Sequence, residues 1–419
     1  MDYITRSIEP VVLGAAQAFK ALLLTGSRQV GKSTLLGHLF SDYSYVTFDD
    51  PLMLAQAKTE PGLFMADNRP PLLIDEIQYA PDLLPYIKMA CDSSDARGQY
   101  LLAGSQQFNL MKDVSESLAG RIGILELSPL SLREIQGVDY NMHFVPTGRY
   151  IQEREEQARF SEDIWTVIHR GGYPQMRNDG MDWSQFYSSY VRTYLERDVN
   201  QLAMVKDQMK FTQFLTVLAA RTAQLLNYQN IANELEISLG TVKSWVSIME
   251  ATGLVFILQP FTNSALNRAI RTPKLYFRDT GLACYLTRWS SPEVARSGAM
   301  AGSLFETFVV SEILKSFANE GLDYRMHVTW YRGKDRLRRK NNGEASSIEA
   351  EIDLIIEENG LYHPIEIKMT ANPKQGMATA FDVLDKVGTG ARGEGAIICM
   401  YDKPLTLREG VRAIPVSYI

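Results

Sequence analysis

The sequence predicts an α/β protein of several domains. A P-loop parallel-sheet domain comes first, a helical lid and a winged helix-turn-helix follow, and a second α/β unit closes the chain. Three observations carry this prediction. The apolar run 21–25 leads into Gly26, Ser27, Arg28, Gln29, Val30, Gly31, Lys32 and Ser33, which is G-x-x-x-x-G-K-S with a strand before it and a helix after it. Residues 211–262 read as helix, helix, tight turn, helix and the start of a wing. Residues 348–369 hold two alternating runs about Asn359-Gly360, a strong hairpin signal.

The chain has 419 residues, 45% hydrophobic and 22% charged. At roughly 150 residues per domain that is too long for one core, and it is too apolar for disorder. No run approaches the ~20 apolar residues of a membrane helix, and the first residues lack the basic-then-apolar order of a secretion signal. Cys91, Cys284 and Cys399 are too scattered for staples or a zinc site and read as buried thiols. The expectation is a cytoplasmic protein with no membrane contact. The net charge of −6 is uneven: 22 Lys+Arg against 30 Asp+Glu over 1–262 gives −8, and 21 against 19 over 263–419 gives +2. Any nucleic-acid contact is therefore expected to be local.

The glycines of 26–33 let successive N–H groups and the following helix N-terminus face a triphosphate. Lys32 would neutralise the outer phosphates of ATP, the Ser33 hydroxyl would bind Mg²⁺, and Thr34 completes the cradle. The apolar run 71–74 ends in Asp75-Glu76, at the sheet edge where α/β proteins bind ligands. Asp75 would hold Mg²⁺ through water, and Glu76 would polarise the attacking water. The next strand, 100–103, leads to Ser105 and then Gln106, first and second choices for sensing the γ-phosphate or positioning the water. Arg121 would supply transition-state charge in cis or to a neighbour in a homo-oligomer, against a packing role.

These segments, with Leu101-Leu-Ala-Gly-Ser105 and Glu116-Ser-Leu-Ala-Gly-Arg121, resemble prokaryotic AAA-type ATPases that carry a characteristic C-terminal region. Gly171-Gly-Tyr-Pro174, Thr193-Tyr-Leu-Glu-Arg-Asp198, Lys274-Leu-Tyr-Phe-Arg-Asp-Thr-Gly-Leu282 and Leu304-Phe-Glu306 extend the resemblance over nearly the whole chain. It implies an AAA-type domain over 1–148, a helical lid over 149–208, a winged helix over 209–262 and a nuclease-like α/β domain over 263–419.

The lid segment reads as helices over 149–160 and 184–199, with Tyr190, Tyr194 and Leu195 as core and Arg197 as a second phosphate sensor. In the winged helix, Ile231, Leu235, Val242, Trp245 and Ile248 are spaced as its core. The reading helix offers Thr241, Lys243, Ser244 and Ser247, a single cation for DNA, so a spacer or protein-docking role is an equal alternative.

A helix over 303–317 carries Glu306 beside an apolar stripe. The basic run Arg332, Lys334, Arg336, Arg338, Arg339 and Lys340 reads either as a mobile loop or as a clamp on duplex DNA. Folding about 359–360 brings Asp353 near 364–366, and Glu366 and Lys368, two apart, share a face. Asp353, Glu366 and the Ile367 carbonyl would hold Mg²⁺, with Lys368 placing the water. The pattern resembles the D…E-x-K core of restriction-endonuclease-type nucleases, with Glu306 matching the acid of that fold's first helix. Ile352 stands where those proteins often have proline. The plainer alternative is a solvated hairpin face with cross-strand charge pairs.

Overall fold

The computed structural model describes residues 3–105, 114, 117–158, 162–195, 207–261, 272–339, 345–387 and 390–419. Its first sheet contains β1 (Ala21–Thr25), β2 (Ser44–Thr47), β3 (Leu72–Asp75), β4 (Tyr100–Ala103) and β5 (Ile122–Glu126), in the order β2-β3-β4-β1-β5. Every pairing is parallel. Parallel strands are covered on both faces, and the alternation of side chains shows it. Leu22, Leu24 and Leu101 pack into one hydrophobic cluster, while Ala21, Leu23 and Leu102 pack into another on the opposite face. The phosphate loop, Asp75-Glu76 and Ser105 follow β1, β3 and β4, so all three leave the same C-terminal edge.

Helices Gly148–Arg154, Ile164–Arg170 and Trp183–Tyr190 form the next segment. The first stops well short of residue 160. Its last residue, Arg154, is buried and donates to the Ser417 and Tyr418 carbonyls near the end of the chain. The second helix has no counterpart in the sequence reading; Asp163 caps it by accepting from the Trp165 amide. The Gly-Gly turn that follows is tied on both sides. Gly172 N–H donates to Asp279 Oδ2 (2.6 Å), and its carbonyl accepts from Leu130 N–H (2.7 Å). Tyr190 is buried as expected, bonded to Tyr173. Arg197 and Gln106 lie outside the described residues, and nothing is described of the Tyr194 and Leu195 side chains.

Helices Gln208–Ala219, Tyr228–Leu235 and Leu239–Ala251 accompany a three-stranded antiparallel sheet of β6 (Gln224–Leu225, between the first two helices), β7 (Val255–Leu258) and β8 (Lys274–Phe277), ordered β6-β8-β7. Ser238 caps the last helix, accepting from Thr241 N–H (3.0 Å). Ile231, Leu235, Val242 and Trp245 are buried and Ile248 is partly so. Lys243, Ser244 and Ser247 face solvent along one side of that helix.

The C-terminal sheet contains β9 (Val328–Arg339), β10 (Ala345–Glu358), β11 (Leu361–Ile367), β12 (Ala391–Arg392), β13 (Gly395–Cys399), β14 (Leu405–Arg408) and β15 (Val411–Pro415). Its main path runs β14-β15-β13-β11-β10-β9, with β12 beside β11. β9, β10 and β11 form an antiparallel meander, and β11, β13 and β15 are parallel. The basic run is not a loop through Arg339: it is strand backbone, with Arg332 opposite Glu351 and Lys334 opposite Glu349. Lys340 lies outside the described residues. The helix Ala301–Asn319 covers one sheet face, where Leu304 and Phe308 share a cluster with Ile365, Ile367 and Ile398. The same helix reaches the first domain: Glu312 accepts from Leu132 N–H (2.7 Å), and Lys315 donates to the Leu130 carbonyl (2.9 Å). The three cysteines are buried and unpaired. Among the described residues no helix is long and apolar enough to cross a membrane.

Candidate nucleotide site and C-terminal carboxylate cluster

The loop after β1 depends on two glycines. Gly26 has φ +147°, and a Cβ there would meet the Leu127 carbonyl oxygen at 2.3 Å; Gly31 has φ +95° at the start of the helix Lys32–Leu39. Only glycine takes these conformations without strain. Val30 turns into the core, and its carbonyl accepts from Arg6 Nη1 (2.9 Å). Arg6 also donates to the Ser128 carbonyl and pairs with buried Glu134 at 3.0 Å. It thus ties the loop to the chain beyond β5. Nothing in the sequence motif pointed to Arg6 or Glu134, because their partners lie far away along the chain.

Lys32 Nζ donates to the Gly26 and Ser27 carbonyls of its own loop, both at 3.0 Å. Burial lowers its pKa to about 8, against the raising effect of Glu76 and Asp75. Ser33 Oγ donates to Asp75 Oδ2 (2.6 Å), and the Tyr45 hydroxyl donates to the same oxygen (3.1 Å). A hydroxyl and a carboxylate meeting at that distance are the hard oxygen donors that Mg²⁺ takes, so the residues fit that ion. Glu76 sits at φ +56°, an uncommon conformation for a non-glycine residue that aims its side chain off the strand end. Its carboxylate accepts from Gln78 Nε2, and burial raises its pKa. A cleft of about 330 Å³ is lined by Arg28, Gln29, Gly31, Lys32, Ser33, Thr34 and Glu76, and by Thr193 from the helical segment. The Ser105 hydroxyl is buried with no hydrogen-bond partner among the described residues.

Arg121 is elsewhere. It precedes β5, whose Ile122 pairs with Ala21 at the start of β1, so it lies at the opposite sheet edge. Four to five residues of strand, roughly 15 Å, separate it from the loop. Its guanidinium grips Asp92 at 2.5 and 3.1 Å. It cannot reach its own chain's phosphate loop. A wider cleft of about 1140 Å³ opens beside Tyr3, Glu9, Gln136 and Arg170. There Arg6 is committed to Glu134, and Tyr3 donates to Glu9. The smaller cleft is the one lined by the glycine loop and Glu76.

Family models match three stretches of the chain. Residues 18–136 match an AAA domain. The chain carries an AAA-type P-loop ATPase domain. Residues 161–293 and 301–419 match two domains of unknown function, DUF8612 and DUF4143. Rv2008c, an uncharacterized protein of Mycobacterium tuberculosis, is 28% identical over 355 residues, covering 84% of this chain and 71% of its own. MJ1637, an uncharacterized protein of Methanocaldococcus jannaschii, is 23% identical over 324 residues, covering 69% of this chain and 66% of its own. Among solved structures, the Walker-type ATPase PABY2304 of Pyrococcus abyssi aligns with a TM-score of 0.38 at 14% identity, over 68% of this chain and 96% of that one.

Away from the AAA-type domain, the C-terminal unit gathers a second constellation. Glu306, Asp353, Glu366 and Lys368 come together from the helix Ala301–Asn319, β10, β11 and the residue just beyond β11. A register shift between Ile352 and Ile355 places Asp353 in an irregular stretch of β10, the kind of bulge that re-aims a side chain. Asp353 Oδ2 accepts from Ile367 N–H (2.9 Å), and Lys368 Nζ lies 2.6 Å from Glu366 and 3.6 Å from Asp353. Tyr276 donates to Glu306 (2.8 Å). Burial, then the neighbouring Asp353 charge, raises both Glu306 and Glu366 to about 7. Sequence reasoning missed Lys274. Its Nζ lies 2.7 Å from Glu351, 3.3 Å from Glu306 and 3.6 Å from Asp353. Burial lowers its pKa, but Glu306, Asp353 and Glu351 outweigh that and hold it above the ordinary lysine value. The expected Mg²⁺ site at Asp353 and Glu366 does not fit as it stands. Among the described residues no group of three or more His, Cys, Asp and Glu side chains is arranged for a metal, and two ammonium groups occupy this cluster.

Proposed function

We propose that this protein binds ATP at the loop 26–34 and hydrolyses it as a switch or motor that acts on DNA. The observation that carries the nucleotide half is the meeting of Lys32, Ser33, Asp75 and Glu76 at one cleft on the strand ends. Lys32 would release the two loop carbonyls and turn to the outer phosphates. Ser33 and Asp75 would hold Mg²⁺, which supplies charge neutralisation on the phosphates when bound. Glu76, already buried and raised in pKa, is the base that would take a proton from water. Ser105, with its unengaged hydroxyl, would report on the γ-phosphate. Thr193 at the cleft wall supports treating 149–208 as the lid. Phosphate release measured with and without Mg²⁺ tests this reading; it stands if release needs Mg²⁺ and disappears in Lys32→Ala.

The DNA half rests on the rest of the chain. The three helices and small antiparallel sheet support a winged helix around 209–262 whose sheet is completed by β8, with Lys243, Ser244 and Ser247 on its open face. The helix–meander–parallel-strand order and the convergence of Glu306, Asp353, Glu366 and Lys368 support a nuclease-like domain over 263–419. The run 332–340 would be its electrostatic contact with a duplex. A cleavage assay on linear, single-stranded and four-way DNA, with and without ATP, tests it against Asp353→Ala. Salt-sensitive DNA binding without cutting by the wild type would leave a DNA-binding ATPase. Absence of both would favour a regulatory ATPase whose modules dock protein partners.

A further inference from the structure

The side chain that closes the C-terminal cluster comes from a different sheet. Lys274 opens β8, which pairs with β6 and β7 in the helix-turn-helix module. The carboxylates it meets belong to the helix Ala301–Asn319 and to β10. Its side chain is 4% exposed, and its ammonium also lies over the Trp330 ring, 5.2 Å from the centroid. Glu306, Glu351 and Asp353 therefore share one ammonium that neither the helix Ala301–Asn319 nor the C-terminal sheet supplies.

A lysine and a divalent cation answer the same demand, positive charge among converging carboxylate oxygens, and they repel each other at these distances. The cluster holds four carboxylates against two ammoniums, Lys274 and Lys368. Glu366 Oε2 is buried without a hydrogen-bond partner among the described residues, an acceptor left open on the carboxylate that pairs with Lys368. Asp353, common to both lysines, is the residue a metal would need most.

We propose that Lys274 is an internal competitor for a divalent cation, holding the C-terminal carboxylates assembled and closed to metal until β8 withdraws it. This rests on reading the cluster as a metal-dependent site and adds the control over it. β7, the partner of β8, follows directly on the helix Leu239–Ala251. Whatever displaces that helix therefore has a hydrogen-bonded route to Lys274, and occupancy of the middle module would set metal access in the C-terminal one.

Mn²⁺ binding to the full chain without nucleotide, read by the loss of free-ion paramagnetic resonance, tests the proposal. Lys274→Met keeps the length of the side chain and removes its charge. We expect it to bind one Mn²⁺ about tenfold tighter or better than wild type, and Lys274→Met/Asp353→Asn to lose that gain. In the wild-type chain, labelling of Lys274 by acetic anhydride, followed by mass spectrometry, should rise as Mn²⁺ is added. Equal affinities in wild type and Lys274→Met, both lost with Asp353→Asn, would overturn the competitor and leave the metal site standing. No Asp353-dependent binding in any chain would overturn both. If Lys274→Met does not fold, the labelling decides: Lys274 staying protected while the wild type takes up Mn²⁺ in an Asp353-dependent way refutes displacement.

Discussion

The two charged sites are built from the same residue types and are held in opposite ways. At the phosphate loop, Lys32 rests on two carbonyls of its own loop, and Asp75 is held by hydroxyls from Ser33 and Tyr45. In the C-terminal cluster, Lys274 and Lys368 are paired directly with carboxylates. Neutral partners are easily exchanged for a ligand, whereas breaking a buried ion pair leaves an uncompensated charge. The first site is thus poised for an incoming polyanion and its cation, and the second is satisfied from within.

Lys32→Ala should have the largest effect, removing measurable ATP binding in equilibrium dialysis and all turnover. Glu76→Gln should keep ATP affinity near wild type while slowing phosphate release on the order of 10²-fold or more; normal release would reassign the base. Truncating one aspartate in each site sharpens the contrast. Asp353→Ala leaves the Ile367 amide without its acceptor and takes one of three carboxylates from Lys274, and should cost about 1–3 kcal/mol in a denaturant titration. Asp75→Ala, whose lost partners are the Ser33 and Tyr45 hydroxyls and the adjacent Glu76 amide, should cost less stability than that while abolishing Mg²⁺-dependent turnover.

A smaller effect concerns pH. Glu306 and Glu366 are raised to about 7, so the folded chain holds more protons than the unfolded one between about 4.5 and 7. Stability of the metal-free protein should therefore fall as pH rises through that window. Melting curves at pH 5.5 and 7.5 would show it, and Glu366→Gln should flatten the dependence. Arg121→Ala is expected to do least, leaving melting temperature and ATP affinity unchanged, because its guanidinium faces Asp92 at the far sheet edge.

The nucleotide site was legible because it is local. One contiguous motif and two strand ends carry it, and a parallel sheet brings strand ends together automatically. The hairpin about Asn359-Gly360 was legible for the same reason, and so was the approach of Asp353 to Glu366. Two things could not be read. Lys274 and Glu306 meet through packing between sheets, which no spacing encodes, so the lysine at the start of the Lys274–Leu282 segment looked like a mark of kinship only. The basic run was open to a loop or a duplex clamp, the loop because Asn341-Asn342-Gly343 stands beside it, yet a long β10 supplies ladder partners through Arg339. For Arg121 the sequence left a role in cis, a role toward a neighbour and a packing role open, and the geometry removes the first. Only the register of β5 against β1 shows which end of the sheet it occupies.

One comparison bears on the centre of the account: radiolabelled ATP incubated with Mg²⁺ and wild type, Glu76→Gln or Lys32→Ala, with the bound nucleotide then recovered and identified. ADP should be recovered from the wild type, intact ATP from Glu76→Gln and no nucleotide from Lys32→Ala. Equal retention by Lys32→Ala and wild type, or no retention by any of the three, would contradict it.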